Sequence, residues 1–233
     1  MKISVVKNIL EANERLAAEN RRLFYERGLL VINLMSSPGA GKTSLLEKTI
    51  LSLKDDLRFG VIEGDIQSTY DAERIEKTGA QVVQINTGGA CHLDSNMIQE
   101  ALKNMTLDNL DLLFIENVGN LVCPAEFNLG EDFKAMILSV TEGDDKPLKY
   151  PLMFRESRVL IINKIDLLPF CDCNIELIEK RAWQINPQLA IFRLSCKTGE
   201  GLAEWTTWLK EQARKNKKEN REFINLEITG ADD

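Results

Sequence analysis

A loop at residues 36–43, Ser-Ser-Pro-Gly-Ala-Gly-Lys-Thr, follows an apolar run and precedes a helix-like segment. It fits the phosphate-binding pattern G-x-x-x-x-G-K-[ST] except at Ser36, which stands where the first glycine is expected. The glycines allow backbone N–H groups to surround a phosphate at a helix N-terminus, whose dipole favours anions. Lys42 would contact the β- and γ-phosphates of a nucleotide, and the Thr43 hydroxyl would bind Mg²⁺. The predicted phosphate-binding residues are Gly39, Ala40, Gly41, Lys42, Thr43 and Ser44.

A second motif, Asn-Lys-Ile-Asp at 163–166, ends an apolar strand-like run. The Asp166 carboxylate can accept hydrogen bonds from guanine N1–H and the exocyclic amine, a donor pair that adenine lacks. Lys164 can lie over the base, and Asn163 can tie neighbouring loops together. The motif is also typical of an ordinary strand-end turn, but its place after a phosphate loop favours GTP and disfavours an ATP-dependent kinase. A later loop adds candidate base contacts at Ser195, Cys196 and Lys197.

Acidic residues end two further strand-like runs. Glu116 could hold Mg²⁺ through a water, and Gly119 could give its amide N–H to the γ-phosphate. Asp65 and Asp71 are both candidates for the Mg²⁺ shell or for orienting the attacking water, although Asp71 is equally placed to cap a helix. The candidate catalytic residues are Lys42, Asp65 and Glu116. No glutamine is obviously placed to orient the water, so we expect slow intrinsic hydrolysis.

Cys91 and His92 end a glycine-rich turn, and Cys123 follows later in a Cys-Pro pair. Two thiols and one imidazole form a ligand set that suits Zn²⁺ or Ni²⁺. The alternative is that these cysteines are packed core residues, because buried free cysteine is common. Cys171 and Cys173 are a weaker metal candidate, since no histidine accompanies them.

These loops need strands and helices that bring them together. Apolar runs alternate with helix-like segments, which is typical of an α/β domain with a mainly parallel sheet. The predicted strands are 29–35, 58–63, 81–85, 110–115, 134–141, 158–162 and 190–195, and the predicted helices are 3–27, 41–53, 68–78, 93–105, 172–185 and 201–215. We predict an α/β P-loop NTPase domain over 29–213, its mainly parallel central sheet flanked by helices. An N-terminal helix occupies 1–28 and a charged C-terminal tail 214–233, in which 223–226 could add an edge strand.

The composition restricts the classes of partner and compartment. With 29 basic and 36 acidic residues the formal net charge is −7, which disfavours a nucleic-acid binder held by phosphate neutralisation. No apolar stretch approaches the roughly 20 residues of a transmembrane helix, and the N-terminus lacks the apolar core of a signal peptide. We therefore expect a cytoplasmic protein without membrane insertion. An odd number of cysteines, five, favours reduced thiols over a disulfide framework.

Together these motifs resemble the HypB family of hydrogenase nickel-incorporation GTPases, within the SIMIBI class. The resemblance rests on segments 36–43, 63–65, 87–94, 116–124, 141–151 and 163–169 and covers about residues 30–210. The segments T-G-G-A-C-H-L-D at 87–94 and E-N-V-G-N-L-V-C-P at 116–124 are the parts most specific to this family, because the nucleotide motifs alone are shared more widely.

The resemblance implies a homodimer favoured by GTP, whose interface carries a Ni²⁺ or Zn²⁺ site formed by Cys91, His92 and Cys123. It implies GTP and Mg²⁺ as cofactors, with a nickel-delivery accessory protein and the large subunit of [NiFe] hydrogenase as partners. A water or a group of the partner chain would complete the metal coordination. The rival hypothesis is a nucleotide-gated chaperone that binds a client according to its GTP state and has no metal role.

Overall fold

Seven parallel strands form one sheet in the order β3-β2-β4-β1-β5-β6-β7. The computed structural model describes residues 2–65 and 70–229, with side chains described for 9–65 and 70–220. The strands are β1 Leu30–Ser36, β2 Phe59–Asp65, β3 Gln81–Asn86, β4 Leu112–Glu116, β5 Phe133–Ser139, β6 Ser157–Asn163 and β7 Ala190–Arg193. All seven predicted strands are present, and the mainly parallel sheet that the sequence predicts is parallel at every pairing.

Helices connect the strands and cover both faces of the sheet. They are α1 Lys2–Glu26, α2 Lys42–Leu53, α3 Tyr70–Glu76, α4 Ser95–Leu102, α5 Cys123–Glu126, α6 Lys146–Lys149, α7 Pro151–Glu156, α8 Ile175–Ile185 and α9 Leu202–Thr229. Helix α4 begins after Asp94, whose side chain accepts from Met97 N, and α8 begins after Asn174, whose side chain accepts from Leu177 N. These caps explain why both helices begin two to three residues later than predicted.

The core is divided between the two faces of the sheet. Alternate residues of β1 point in opposite directions, so Ile32 and Leu34 pack towards α2 and α9, where Trp205 is fully buried. Val31 and Met35 belong to the clusters on the other face. A central parallel strand covered on both sides reads as a continuous apolar run, which is why β1 was recognisable in the sequence.

Helix α1 packs against the nucleotide-binding domain through polar bonds as well as apolar contacts. Asn20 is buried, and its Nδ2 donates to Ser95 O and to Leu129 O, both at 3.1 Å. Gly130 lies directly against the helix with φ 95°, and a Cβ added there would lie 2.7 Å from Asn20 Cβ. These contacts fix α1 beside α4 and beside the loop that precedes β5.

The C-terminal segment differs from the prediction. Helix α9 continues through Thr229, so the edge strand considered for 223–226 is wrong and most of the predicted tail is a continuation of this helix. Residues 230–233, and positions 68 and 69 of the predicted third helix, lie outside the described residues. The division into an N-terminal helix, a domain at 29–213 and a tail stays a prediction. Within the described part of the chain, no helix has the length and apolar character needed to cross a membrane.

Candidate functional site

The predicted nucleotide-binding residues gather at one edge of the sheet. The phosphate loop follows β1, Glu116 ends β4, Asn163 ends β6, and Ser195 follows β7. Because every strand runs in the same direction, the carboxyl ends of all seven lie at this edge. Strands β2, β3 and β4 lie on one side of β1, and β5, β6 and β7 lie on the other. Such a switch point in the strand order leaves a crevice where open α/β sheets bind ligands.

The phosphate loop is held in place by contacts that require glycine and by a buried lysine. Gly41 has φ 108° and caps α2, and a Cβ added there would lie 2.4 Å from Asn163 Nδ2. Lys42 is only 9% exposed, and its Nζ donates to Ser36 Oγ at 3.2 Å. Ser36, the departure from the general motif, therefore provides a hydroxyl that orients the lysine.

Thr43 and Glu116 form the candidate Mg²⁺ site. The Thr43 hydroxyl donates to Glu116 Oε1 at 3.1 Å, and Lys42 Nζ lies 3.9 Å from the same oxygen. Glu116 Oε2 is buried and has no hydrogen-bond partner among the described residues. Burial raises the pKa of Glu116 to about 7, with the nearby lysine acting in the opposite direction. An unpaired buried carboxylate oxygen beside a threonine hydroxyl fits a divalent cation well.

Two more acidic residues surround this site. Glu63 lies opposite Glu116 in the β2–β4 register, and its pKa is raised to about 9 by burial and by the charge of Glu116. Asp65 ends β2 and is partly buried. Asp71 lies in the first turn of α3, where Arg74 Nη1 donates to its Oδ1 at 3.2 Å. Asp71 is thus paired to an arginine on its own helix.

A groove of about 420 Å³ beside the phosphate loop is lined by the predicted base-recognition residues other than Ser195. Asn163 links three loops, because its Nδ2 donates to Ala40 O at 2.9 Å and its Oδ1 accepts from the backbone N–H groups of Lys164 and Cys196. Lys164 has φ 64°, and its Nζ donates to Gly39 O at 2.7 Å. The lysine thereby lies between the base loop and the phosphate loop.

The Asp166 carboxylate is oriented by the loop that follows β7. Ser195 Oγ donates to Asp166 Oδ1 at 2.5 Å and accepts from the backbone N–H groups of Lys197 and Thr198. Cys196 is buried, and burial raises the pKa of its thiol to about 11. Cys196 therefore contributes its backbone and its packing to the groove, whereas Lys197 is exposed at the rim.

Cys91, His92 and Cys123 converge although 32 residues separate the two cysteines. The two Sγ atoms are 3.2 Å apart, and Cys91 Sγ lies 3.5 Å from His92 Nδ1. The ligand atoms of all three residues lie within 4.8 Å of one another, which fits one ion with metal–ligand distances of about 2.0–2.3 Å. Across the described ranges no other group of this kind occurs, so Cys171 and Cys173 do not form one.

The three metal-ligand candidates lie near the protein surface, and neighbouring groups shift the pKa values of His92 and Cys123. The His92 ring stacks on Phe127 with 3.8 Å between ring centroids, and burial lowers the pKa of the imidazole, which favours the neutral form that binds metals. The pKa of Cys123 is raised by its hydrogen bond with Cys91 and by burial. Cys91 itself is exposed, so an ion or a second protein can approach the site. The alternative that these cysteines are core residues is wrong for Cys91.

Comparisons with known proteins show the family to which the chain belongs. The family CobW/HypB/UreG, nucleotide-binding domain, matches residues 30–193. The hydrogenase maturation factor HypB of Rhizobium leguminosarum bv. viciae is 52% identical over 211 residues, which are 91% of this chain and 71% of that protein. HypB of Escherichia coli strain K12 is 50% identical over 210 residues, with 90% and 72% covered. The chain belongs to the HypB family.

A solved HypB structure confirms the fold. The crystal structure of HypB from Helicobacter pylori in complex with nickel matches with a TM-score of 0.84 and 41% identity, over 88% of this chain and 96% of that chain. The predicted α/β P-loop NTPase architecture is therefore the one that the HypB family adopts.

Within this HypB-family fold, some contributors to the site were not assigned from the sequence. Glu63 is part of the Glu-Gly-Asp segment at 63–65, in which the sequence pattern indicates a role only for the aspartate. Arg74 bridges Asp71 and Glu47 and also donates to Ser44 Oγ at 3.3 Å. Arg74 follows Asp71 by three residues, a spacing at which side chains on a helix interact, and this spacing is the sequence feature that could have indicated the pair. Asn117 is buried beside Glu116, and nothing in its spacing revealed its partners.

Proposed function

We propose that the protein is a GTP-hydrolysing nickel metallochaperone that assists nickel insertion into [NiFe] hydrogenase. The relatives are named hydrogenase maturation factors, and the H. pylori structure is described as a complex with nickel. The observation that carries the proposal is the convergence of Cys91, His92 and Cys123 in a chain whose predicted nucleotide-binding loops lie at one edge of the sheet. A nucleotide-gated chaperone without a metal role would not need this ligand set.

GTP is proposed to bind across the carboxyl ends of β1, β4 and β6. The N–H groups of residues 39–44 surround the phosphates, and Lys42 turns from Ser36 towards the β- and γ-phosphates. Asp166 pairs with guanine, and Lys164 covers the base. The bonds that already join Asn163, Lys164 and Ser195 to neighbouring loops support this assignment, because they hold the base groove in shape.

Hydrolysis transfers the γ-phosphoryl group to water. A bond forms between the water oxygen and the γ-phosphorus, the bond to the β,γ-bridging oxygen breaks, and GDP, phosphate and a proton leave. Bound Mg²⁺ would neutralise charge on the β- and γ-phosphates. Thr43 and Glu116 would hold the cation, and Asp65 or Asp71 would complete the shell or orient the water. Gly119 gives its N–H to the γ-phosphate, and Lys42 stabilises the charge that develops there.

Nickel, or zinc in its place, is the cargo of the second site. Three ligands from one chain leave coordination open, and a GTP-favoured homodimer can complete it with groups of the second copy. A nickel-delivery accessory protein would load the site, and the large subunit of [NiFe] hydrogenase would receive the ion. The exposure of Cys91 supports transfer between proteins, since a closed site could not exchange its ion.

A metal titration with and without nucleotide tests this function. Ni²⁺ and Zn²⁺ affinities are measured by competition with a chelator, in GDP and in a non-hydrolysable GTP analogue. We expect one site per chain, an affinity that depends on the nucleotide, and loss of the site in Cys123→Ala. Cys171→Ala is the matched control and should retain the site. Metal binding that survives in Cys123→Ala would contradict the proposed ligand set, and a wild-type protein that binds neither ion would favour the rival chaperone.

A further inference from the structure

Asn117 is a buried asparagine, 1% exposed, whose hydrogen bonds the nucleotide chemistry does not use. Its Oδ1 accepts from Leu93 N and from Val118 N, both at 3.0 Å. Its Nδ2 donates to Asn33 Oδ1 at 3.2 Å, on the central strand β1. A buried amide is tolerated only when it is hydrogen-bonded, so this network specifies one position for the chain after Glu116.

The loop that carries Cys91 and His92 is attached to the segment containing Asn117. Leu93 directly follows His92, so the bond from its N–H to Asn117 holds the backbone that presents both ligands. A second bond joins the same two segments, because Asn120 Nδ2 donates to Cys91 O at 3.3 Å. Displacement of residues 117–120 would therefore displace these ligands.

Cys123 is attached both to 117–120 and to the sheet. Asn120 Oδ1 accepts from Val122 N at 2.8 Å, and the Asn120 side chain also hydrogen-bonds the Cys123 thiol. Lys134 on β5 donates from Nζ to Ala125 O at 2.7 Å, two residues beyond Cys123. The lysine is 9% exposed, and its Nζ lies 3.9 Å from Glu131 Oε1. Because β5 is an interior strand, the start of α5 is held by the sheet. Residues 117–120 thus contact all three metal ligands or their neighbours, and Cys123 alone has a second attachment, through Ala125, to β5.

Residues 117–120, which hold Cys91 and His92, also contact the phosphate loop. A Cβ added to Gly119 would lie 3.0 Å from Pro38 Cα, so the two backbones are in contact. We propose that Asn117 is a positioning residue, which moves Cys91 and His92 together with 117–120 when the nucleotide changes, while the bond from Lys134 to Ala125 restrains Cys123 and makes it move less. This inference rests on the proposed function, and it assigns the movement to the Cys91–His92 side of the metal site.

Hydrogen exchange of the wild-type protein tests the movement directly. When GDP is replaced by a non-hydrolysable GTP analogue, the amide of Leu93 and the amides of 117–120 should change their exchange rates together, by about fivefold or more. The amides of 123–126 should change by less than about twofold. A change confined to 117–120, with Leu93 unaffected, would overturn the role of Asn117. No dependence on nucleotide in any of these segments would also overturn it.

Variants test whether the Asn117 side chain carries the coupling. The readout is the ratio of Zn²⁺ affinities in the GTP-analogue and GDP states, which a purely structural role would leave unchanged. Asn117→Ala should reduce this ratio about fivefold or more. Asn186→Ala is the control, because that amide donates to Ser157 O at the opposite end of β6.

The outcomes separate this inference from the proposed function. A wild-type protein that binds no Zn²⁺, or binds it equally in both nucleotide states, contradicts the proposed function and removes the basis for the inference. A wild-type ratio that persists in Asn117→Ala overturns the inference alone. If Asn117→Ala does not fold, the hydrogen-exchange measurement on the wild-type protein tests the inference.

Discussion

Replacing Asp166 by asparagine should change which purine the protein binds. The carboxylate is proposed to accept from guanine N1–H and from the exocyclic amine, and asparagine would present an amide N–H to one of these donors. Ser195 Oγ donates to Asp166 Oδ1 at 2.5 Å, and an asparagine Oδ1 can accept the same bond. The loop should therefore keep its position, so that the substitution acts on the base and not on the fold.

The size of the effect follows from the bond that is lost. A hydrogen bond to a charged group contributes about 1.5–3 kcal/mol, and about 1.4 kcal/mol corresponds to a tenfold change in affinity. GTP affinity should fall by about 10- to 150-fold in Asp166→Asn. Xanthosine triphosphate has a carbonyl in place of the exocyclic amine, so it can accept from the asparagine amide and should bind the variant more tightly than the wild type.

Both affinities can be measured by displacement of a fluorescent nucleotide. Asp172→Asn is the matched control. Asp172 is exposed and lies outside the groove, so this substitution removes the same charge without touching the proposed base site. Unchanged GTP affinity in Asp166→Asn would refute the assignment of base recognition to this motif. An equal loss of GTP and xanthosine triphosphate binding, with a lower unfolding midpoint, would show that Ser195 and Asp166 stabilise the loop and do not select the base.

Three further predictions concern turnover, cation binding and folding. Lys42→Ala should abolish single-turnover GTP hydrolysis, because the γ-phosphate loses a positive partner, and wild-type rates would contradict this. Because burial raises the pKa of Glu116 to about 7, protons should compete with Mg²⁺ for this carboxylate. The rise in melting temperature on adding Mg²⁺ should therefore be larger at about pH 8 than at about pH 6. Without Mg²⁺, the stability of the protein should fall as pH rises through this pKa. Gly130→Ala should destabilise the protein in urea by about 1–3 kcal/mol more than Gly79→Ala, which has a similar φ but open space around its Cβ; equal losses would contradict the α1 contact.

The strands were predictable because a buried parallel sheet leaves a simple pattern in the sequence. Short apolar runs, such as residues 112–115 and 159–162, stand between polar loops and longer helices. Three short helices were not predicted. Helices α5, α6 and α7 have only four to six residues, too few for a helical period, although each has a proline at its first or second position.

The site was predictable where chemistry depends on neighbours in sequence, and not where it depends on neighbours in space. The phosphate and base motifs are short segments, so their residue types and spacing were sufficient. The bond from Lys42 to Ser36 depends on the curvature of the loop, and the pairing of Glu63 with Glu116 depends on the register of two strands. The contact between Asn117 and Leu93 joins residues 24 positions apart and leaves no pattern in the sequence.

The charge at the carboxyl ends of β2 and β4 explains why this edge of the sheet is suited to a cation. Glu63 and Glu116 lie opposite each other, both buried, and each has one carboxylate oxygen without a partner among the described residues. Lys42 is the nearby cation that opposes the raised pKa of both groups, yet it is also the residue proposed to reach the phosphates. When the lysine turns to GTP, the carboxylates lose positive charge, and a divalent ion at Thr43 and Glu116 would replace it. Nucleotide and Mg²⁺ should therefore bind cooperatively, each stabilising the charge arrangement that the other requires.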